Sequence, residues 1–164
     1  MPDAEPILDP SHAAFLERGV GMSIAACESD GIPTIVRGTG CRVSADRRCV
    51  TVFVSAAQAA PVIRCIRANG NVAVVFSEPS THRTVQLKGK DAHFGVLEQG
   101  DLQRIADYRD AFIAQVATLG YDKALIRYLF AYPSEDIVTL SFCPTEAFSQ
   151  TPGPHAGEPL RRRT

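Results

Sequence analysis

His82, Thr84, Gln86 and Lys88 alternate with Arg83, Val85 and Leu87 along one short stretch of the chain. A strand turns successive side chains to opposite faces, so this spacing lines one face with imidazole, hydroxyl, amide and ammonium groups. Such groups can hydrogen-bond a polar ligand, and a lysine can offset its negative charge. The same alternation also describes a sheet face that is simply open to water. Arg83, on the apolar side, reads as the exposed start of the strand or as a phosphate contact. Ser55 closes an apolar run where a hydroxyl serves a turn more often than a phosphate.

Other chemistries lack their signatures. His12, His82, His93 and His155 have no metal-ligand spacing. Cys27, Cys41, Cys49, Cys65 and Cys143 are odd in number and form no C-x-x-C pair, so they read as small buried thiols of a reducing compartment rather than as disulfides or zinc ligands. There is no G-x-S-x-G elbow and no G-x-G-x-x-G loop, which leaves hydrolase chemistry and dinucleotide cradling without support.

The elements that must position these residues follow from turn chemistry and periodicity. Asp9-Pro10 opens a short helix, with Asp9 as its cap and Gly19 as its stop. Residues 21–27 read as a strand, Glu28-Ser29-Asp30-Gly31 as a turn, and residues 32–44 as the return arm, interrupted at Gly38 and Gly40 by a bulge or close approach. Cys49 to Val54 is a strand apolar on both sides. A helix over residues 60–68 ends at Asn69-Gly70, and strands follow at 71–76 and 84–88. Helical spacing recurs between Gln99 and Leu119, Asp122 caps a second helix, and residues 136–142 return to strand. The tail, with three prolines and Arg161 to Arg163, reads as an extended arm over 149–164 beyond a core over 9–148.

Length and composition frame that layout. The chain has 164 residues, 45% apolar and 21% charged, enough for one globular domain with a real core. With 17 Lys+Arg against 18 Asp+Glu, its net charge of −1 offers no field to gather nucleic acid or anionic lipid. No apolar run approaches the roughly 20 residues of a membrane span, and the opening MPDAEPILDPSH lacks the pattern of a secretory signal. The expected location is the cytoplasm.

The succession Gly31-Ile32-Pro33, Asp46 to Val54, and Val62 to Phe76 with Asn69-Gly70-Asn71-Val72 inside it resembles the pyridoxamine 5′-phosphate oxidase-like family over residues 12–148. Arg83 to Gly89 is similar to that family's strand beside the flavin ring. Gln150-Thr151-Pro152-Gly153-Pro154 is similar to the tail of some members. The resemblance implies a mainly β, α+β fold: a six-stranded antiparallel split β-barrel flanked by helices. It also implies a homodimer with FMN in clefts at the interface and oxidoreductase action on a small molecule, with Thr84 and Gln86 at the flavin edge and Lys88 beside the reduced ring.

This sequence departs from that pattern where the FMN phosphate is held. Val36, Cys41 and Ala60-Pro61-Val62 stand where the family carries basic residues and a Ser-Arg-Lys run. Arg37 and Arg42 lie one residue away and reach the phosphate only if a bulge at Gly38 or Gly40 turns them round. The alternative is a split-barrel binding protein free of FMN, holding haem through His82 or His93, or another small ligand. Pyridoxamine phosphate is disfavoured as substrate, because a second phosphate meets the same shortage of cations.

Overall fold

The computed structural model describes residues 5–160, so Arg161 to Arg163 lie outside the described residues. Helix α1 (Pro10–Leu16) begins where the Asp9 carboxylate accepts the His12 amide at 2.7 Å. Gly19, expected as the stop, does not end this helix, which closes at Leu16 with Glu17 as its cap. A Cβ on Gly19 would lie 2.5 Å from the backbone of Ala111, so its missing side chain admits a later helix.

Strands β1 (Gly21–Cys27) and β2 (Pro33–Arg37) form the expected hairpin. The return arm then divides at Gly38-Thr39-Gly40. The Gly38 amide still bonds Met22 of β1, whereas the Thr39 amide bonds Phe53 on β4 (Val50–Ser55), which carries the chain from one sheet to the other. Gly40 makes that corner with φ of +125°. The arm resumes as β3 (Cys41–Val43), paired with β4.

All six residues of β4 are buried, as its unbroken apolar run requires. Helix α2 (Ala60–Asn69) packs on β1 and β2 and ends at left-handed Gly70. Next come β5 (Val72–Ser77), β6 (Thr84–Gly89), β7 (His93–Gly95), α3 (Asp101–Ala117), α4 (Lys123–Leu129), β8 (Ile137–Phe142) and β9 (Glu146–Ser149).

These strands build two antiparallel sheets, β2-β1-β5-β6-β9 and β3-β4-β8-β7, joined at the Gly38–Gly40 corner and not closed into one barrel. The core between them holds Phe15, Ile24, Val52, Phe76, Leu87 and Phe142. The architecture is α+β, as expected, with more strands than six because the return arm splits and the short β7 and β9 join the sheets. The C-terminal segment follows β9 and turns back on it, with the Leu160 amide bonded to Ala147. Among the described residues no helix is long and apolar enough to cross a membrane.

The expectation of free, buried thiols fails at three positions. Cys49 and Cys143 are joined by a disulfide, and Cys27 is exposed; Cys41 and Cys65 are free and buried. Spacing along the chain concealed the pair, because antiparallel pairing of β4 with β8 brings together residues 94 apart.

Candidate functional site

The outward face of the five-stranded sheet can be written as rows across its strands. One row runs Ile35, Ala25, Ala73, Lys88, Glu146, and the next runs Arg37, Ser23, Val75, Gln86, Phe148. The central strands β1 and β5 contribute Ser23, Ala25, Ala73 and Val75, three of them small, while β2 and β6 rise beside them with Ile35, Arg37, Gln86 and Lys88. Strand spacing sets β2 and β6 about 14 Å apart across this floor. That is wide enough for a flat fused ring lying on small side chains.

At one end of the same face is a groove of about 390 Å³ lined by Ala25, Cys27, Ala73, Lys88, Lys90 and Glu146 among others. Its surface is mostly apolar with two ammonium groups at the rim, a combination suited to a planar, electron-rich ligand. Sequence reasoning missed this floor. Its signal was the run of small residues at every second position, Gly21, Ser23, Ala25 and Cys27, which reads as an ordinary strand until its pairing is known.

The structure brings four of the seven candidate residues to this face. Gln86 is half-buried and accepts from the Gln150 side chain at 3.2 Å. Lys88 extends over the Phe148 ring, 5.0 Å from its centre. Arg37 is exposed at the far end of the Gln86 row, with its guanidinium 5.5 Å from the centre of the Phe130 ring. Thr84 belongs to the same face but is buried: its hydroxyl bonds Ser77 at 2.8 Å, and its amide donates to the Thr151 hydroxyl. The tail segment Gln150-Thr151 therefore covers the Thr84 end of the stripe.

The other three candidates are engaged elsewhere. Arg42 donates to the carboxylates of Asp101 and Glu98, both at 3.0 Å, and ties β3 to the start of α3. Arg83 lies 4.2 Å above the ring of Phe15. Ser55 is buried and donates its hydroxyl to Asp136. His82 does not share the stripe, because it precedes β6 in a left-handed conformation with φ of 61°. His93 lies on β7 of the other sheet and bonds the carbonyl of Asp91, so the two histidines do not converge.

The phosphate half of an FMN site does not fit these residues. Val36, Cys41 and Val62, at the positions to which the resemblance assigns cations, are buried. No strand slip turns Arg37 and Arg42 inward: Val36 faces the core, and burial pushes the Cys41 thiol well above its ordinary pKa while it donates to the Leu16 carbonyl. The turn entering α2 is already occupied by an acid. The Asp136 carboxylate accepts the Ala57 amide at 3.0 Å as well as the Ser55 hydroxyl. A second anion there would meet like charge and find these donors taken. The ring half is different, since the small-residue floor and the Gln86 amide suit a flat heterocycle.

One buried hydroxyl stands apart from this face. Tyr108 of α3 stacks near Phe112 and Phe130, its oxygen has no hydrogen-bond partner, and burial raises its pKa. Among the described residues no group of His, Cys, Asp and Glu is arranged to hold a metal ion.

No protein-family model and no curated protein matches the sequence. Solved structures do match the fold. HupZ of Group A Streptococcus aligns over 92% of this chain and 99% of its own, at 14% identity and a TM-score of 0.53. A Lactobacillus delbrueckii protein provisionally named pyridoxamine 5′-phosphate oxidase aligns over 90% and 97%, at 14% identity and a TM-score of 0.53. An F420 reductase aligns over 85% and 98%, at 16% identity and a TM-score of 0.51. The two antiparallel sheets with their flanking helices are therefore the pyridoxamine 5′-phosphate oxidase-like split-barrel fold.

Proposed function

We propose that this chain works as a cytoplasmic homodimer that holds a flat, redox-active ring of the flavin class on the outward face of its five-stranded sheet, as an oxidoreductase acting on a small molecule. The observation that carries this reading is the small-residue floor of Ser23, Ala25 and Ala73 between Arg37 and Ile35 on one side and Gln86 and Lys88 on the other. A ring lying there is half covered by one chain, and a second copy facing the same sheet covers the rest, burying Ile35, which is 69% exposed in the monomer.

When bound, such a ring supplies the electron transfer, and the protein contributes position and electrostatics. Gln86 is placed to hydrogen-bond a polar ring edge, and Lys88 to favour an anionic one. The occupied turn at α2 indicates that the ring, and not a phosphate tail, provides most of the hold. FMN is the cofactor the sequence resemblance names; riboflavin, which lacks the phosphate, is the informative comparison.

Asp136 supports a second reading, a split-barrel protein that binds a ring without FMN chemistry. Visible spectra of protein purified without added cofactor, followed by separate titrations with FMN, riboflavin and haem, test both. Binding of both flavins with similar affinity, at or below roughly micromolar, supports the oxidoreductase reading. Indifference to both flavins overturns it, and haem binding alone would establish the second.

A further inference from the structure

We propose that Cys49 and Cys143 form a reversible thiol redox site that controls one wall of the outward groove. Residue 49 faces residue 143 because the β4–β8 register, which pairs Val50 with Phe142, continues by one step. Their own amides are directed elsewhere: that of Cys49 donates to the Ser44 hydroxyl and that of Cys143 to the Asp91 carboxylate. The two positions thus meet as a pair without mutual backbone hydrogen bonds, the closer-set kind in an antiparallel ladder, with Cα atoms 4.1 Å apart. Opposed cysteines at such a place form a bond without moving the sheet.

Location makes this bond a switch and not a core staple. Val50 and Phe142, the next pair inward, are fully buried, whereas Cys49 and Cys143 are both partly exposed at the end of the sheet. A reductant reaches the sulfurs there without unfolding the core. The chain that leaves Cys143 crosses at once from the four-stranded sheet to β9. On that crossing the Thr145 amide bonds the Lys88 carbonyl at 2.8 Å, and Thr145 and Glu146 form a wall of the groove opposite Ala25 and Cys27. The disulfide clamps the base of that wall. Without it, the crossing is held at residue 143 by its amide bond to Asp91.

The chemistry is thiol–disulfide exchange with a dithiol reductant. Its thiolate attacks one sulfur and forms a mixed disulfide, releasing the other cysteine as thiolate; its second thiol then displaces the first cysteine. The cysteine pair gains two electrons and two protons, and the reductant leaves as its own disulfide. In a reducing compartment the dithiol prevails, and exchange with oxidised glutathione, which takes up the two electrons and two protons and leaves as two reduced glutathione molecules, restores the bond.

Thiol labelling and hydrogen exchange on the full chain test this without any groove ligand, so the outcome is separable from the proposed ring binding. After equilibration with oxidised glutathione, the denatured protein should label at Cys27, Cys41 and Cys65 only, and at all five cysteines after dithiothreitol. Failure of the pair to form, or pairing of other cysteines, overturns the site. Dithiothreitol should then lower amide protection at residues 143–149 and 88–92 while leaving β1 and β5 unchanged. Unchanged protection, or unfolding of the whole chain, overturns the switch. Cys49→Ser should reproduce the reduced pattern under oxidising conditions; if that variant does not fold, the dithiothreitol measurement on the unaltered chain decides.

Discussion

The two sheets divide the work of the molecule between them. In the four-stranded sheet, β4 is buried on both faces, between the core on one side and Ile105 and Ile137 on the other. In the five-stranded sheet, β1 and β5 bury only every second residue and leave Ser23, Ala25, Ala73 and Val75 on a face that no element of this chain fully covers. A strand enclosed on both sides adds stability with nearly every side chain; a strand enclosed on one side leaves half its residues for ligand or partner. Substitutions should therefore separate cleanly, the first sheet reporting on folding and the second on binding.

Phe53→Ala, at a fully buried position of β4, is expected to cost roughly 3–5 kcal/mol, read as a fall in the denaturant midpoint. A loss below about 1 kcal/mol would remove the distinction between the sheets. Asp101→Asn removes the buried charge facing Arg42 while the side-chain carbonyl oxygen at that position and Glu98 still accept from the guanidinium, so a loss of about 2 kcal/mol is expected, below the roughly 3–5 kcal/mol of a fully broken buried pair. Here a cation that could have served a ligand serves the fold.

On the other sheet, Ala73→Leu raises the floor of the trough. Its stability should stay within about 0.5 kcal/mol, while riboflavin affinity falls by about tenfold or more, equivalent to about 1.4 kcal/mol. Equal binding by the variant would move the ligand away from this face. Ile35→Asp should likewise leave the melting temperature nearly unchanged and shift sedimentation toward monomer; an unaltered dimer would place the subunit contact elsewhere.

The smallest effect concerns acid. A short hydrogen bond from Thr81, aided by Gln115 and the guanidinium groups of Arg18 and Arg83, holds the Glu78 carboxyl below its ordinary pKa. A depressed folded pKa means stability that is present above the ordinary glutamate value and lost as pH falls from there through the lowered folded one. Glu78→Gln should flatten that acid limb slightly, as measured by melting temperature against pH. An identical limb would show that this loop does not contribute.

The sequence by itself determined the elements whose causes are local. Asp9, Asp122 and Gly70 mark helix ends because caps and left-handed turns act within a few residues. The apolar run of β4 and the alternation of residues 84–88 announced their burial for the same reason.

Only the tertiary structure decided which residues share a face. Arg37 and Gln86 fall on one row, Arg42 turns to Asp101, Asp136 occupies the entry to α2, and Cys49 meets Cys143. Each of these depends on pairing between strands or helices far apart in the chain. Register across a sheet is fixed by the packing of whole faces, which no local spacing encodes.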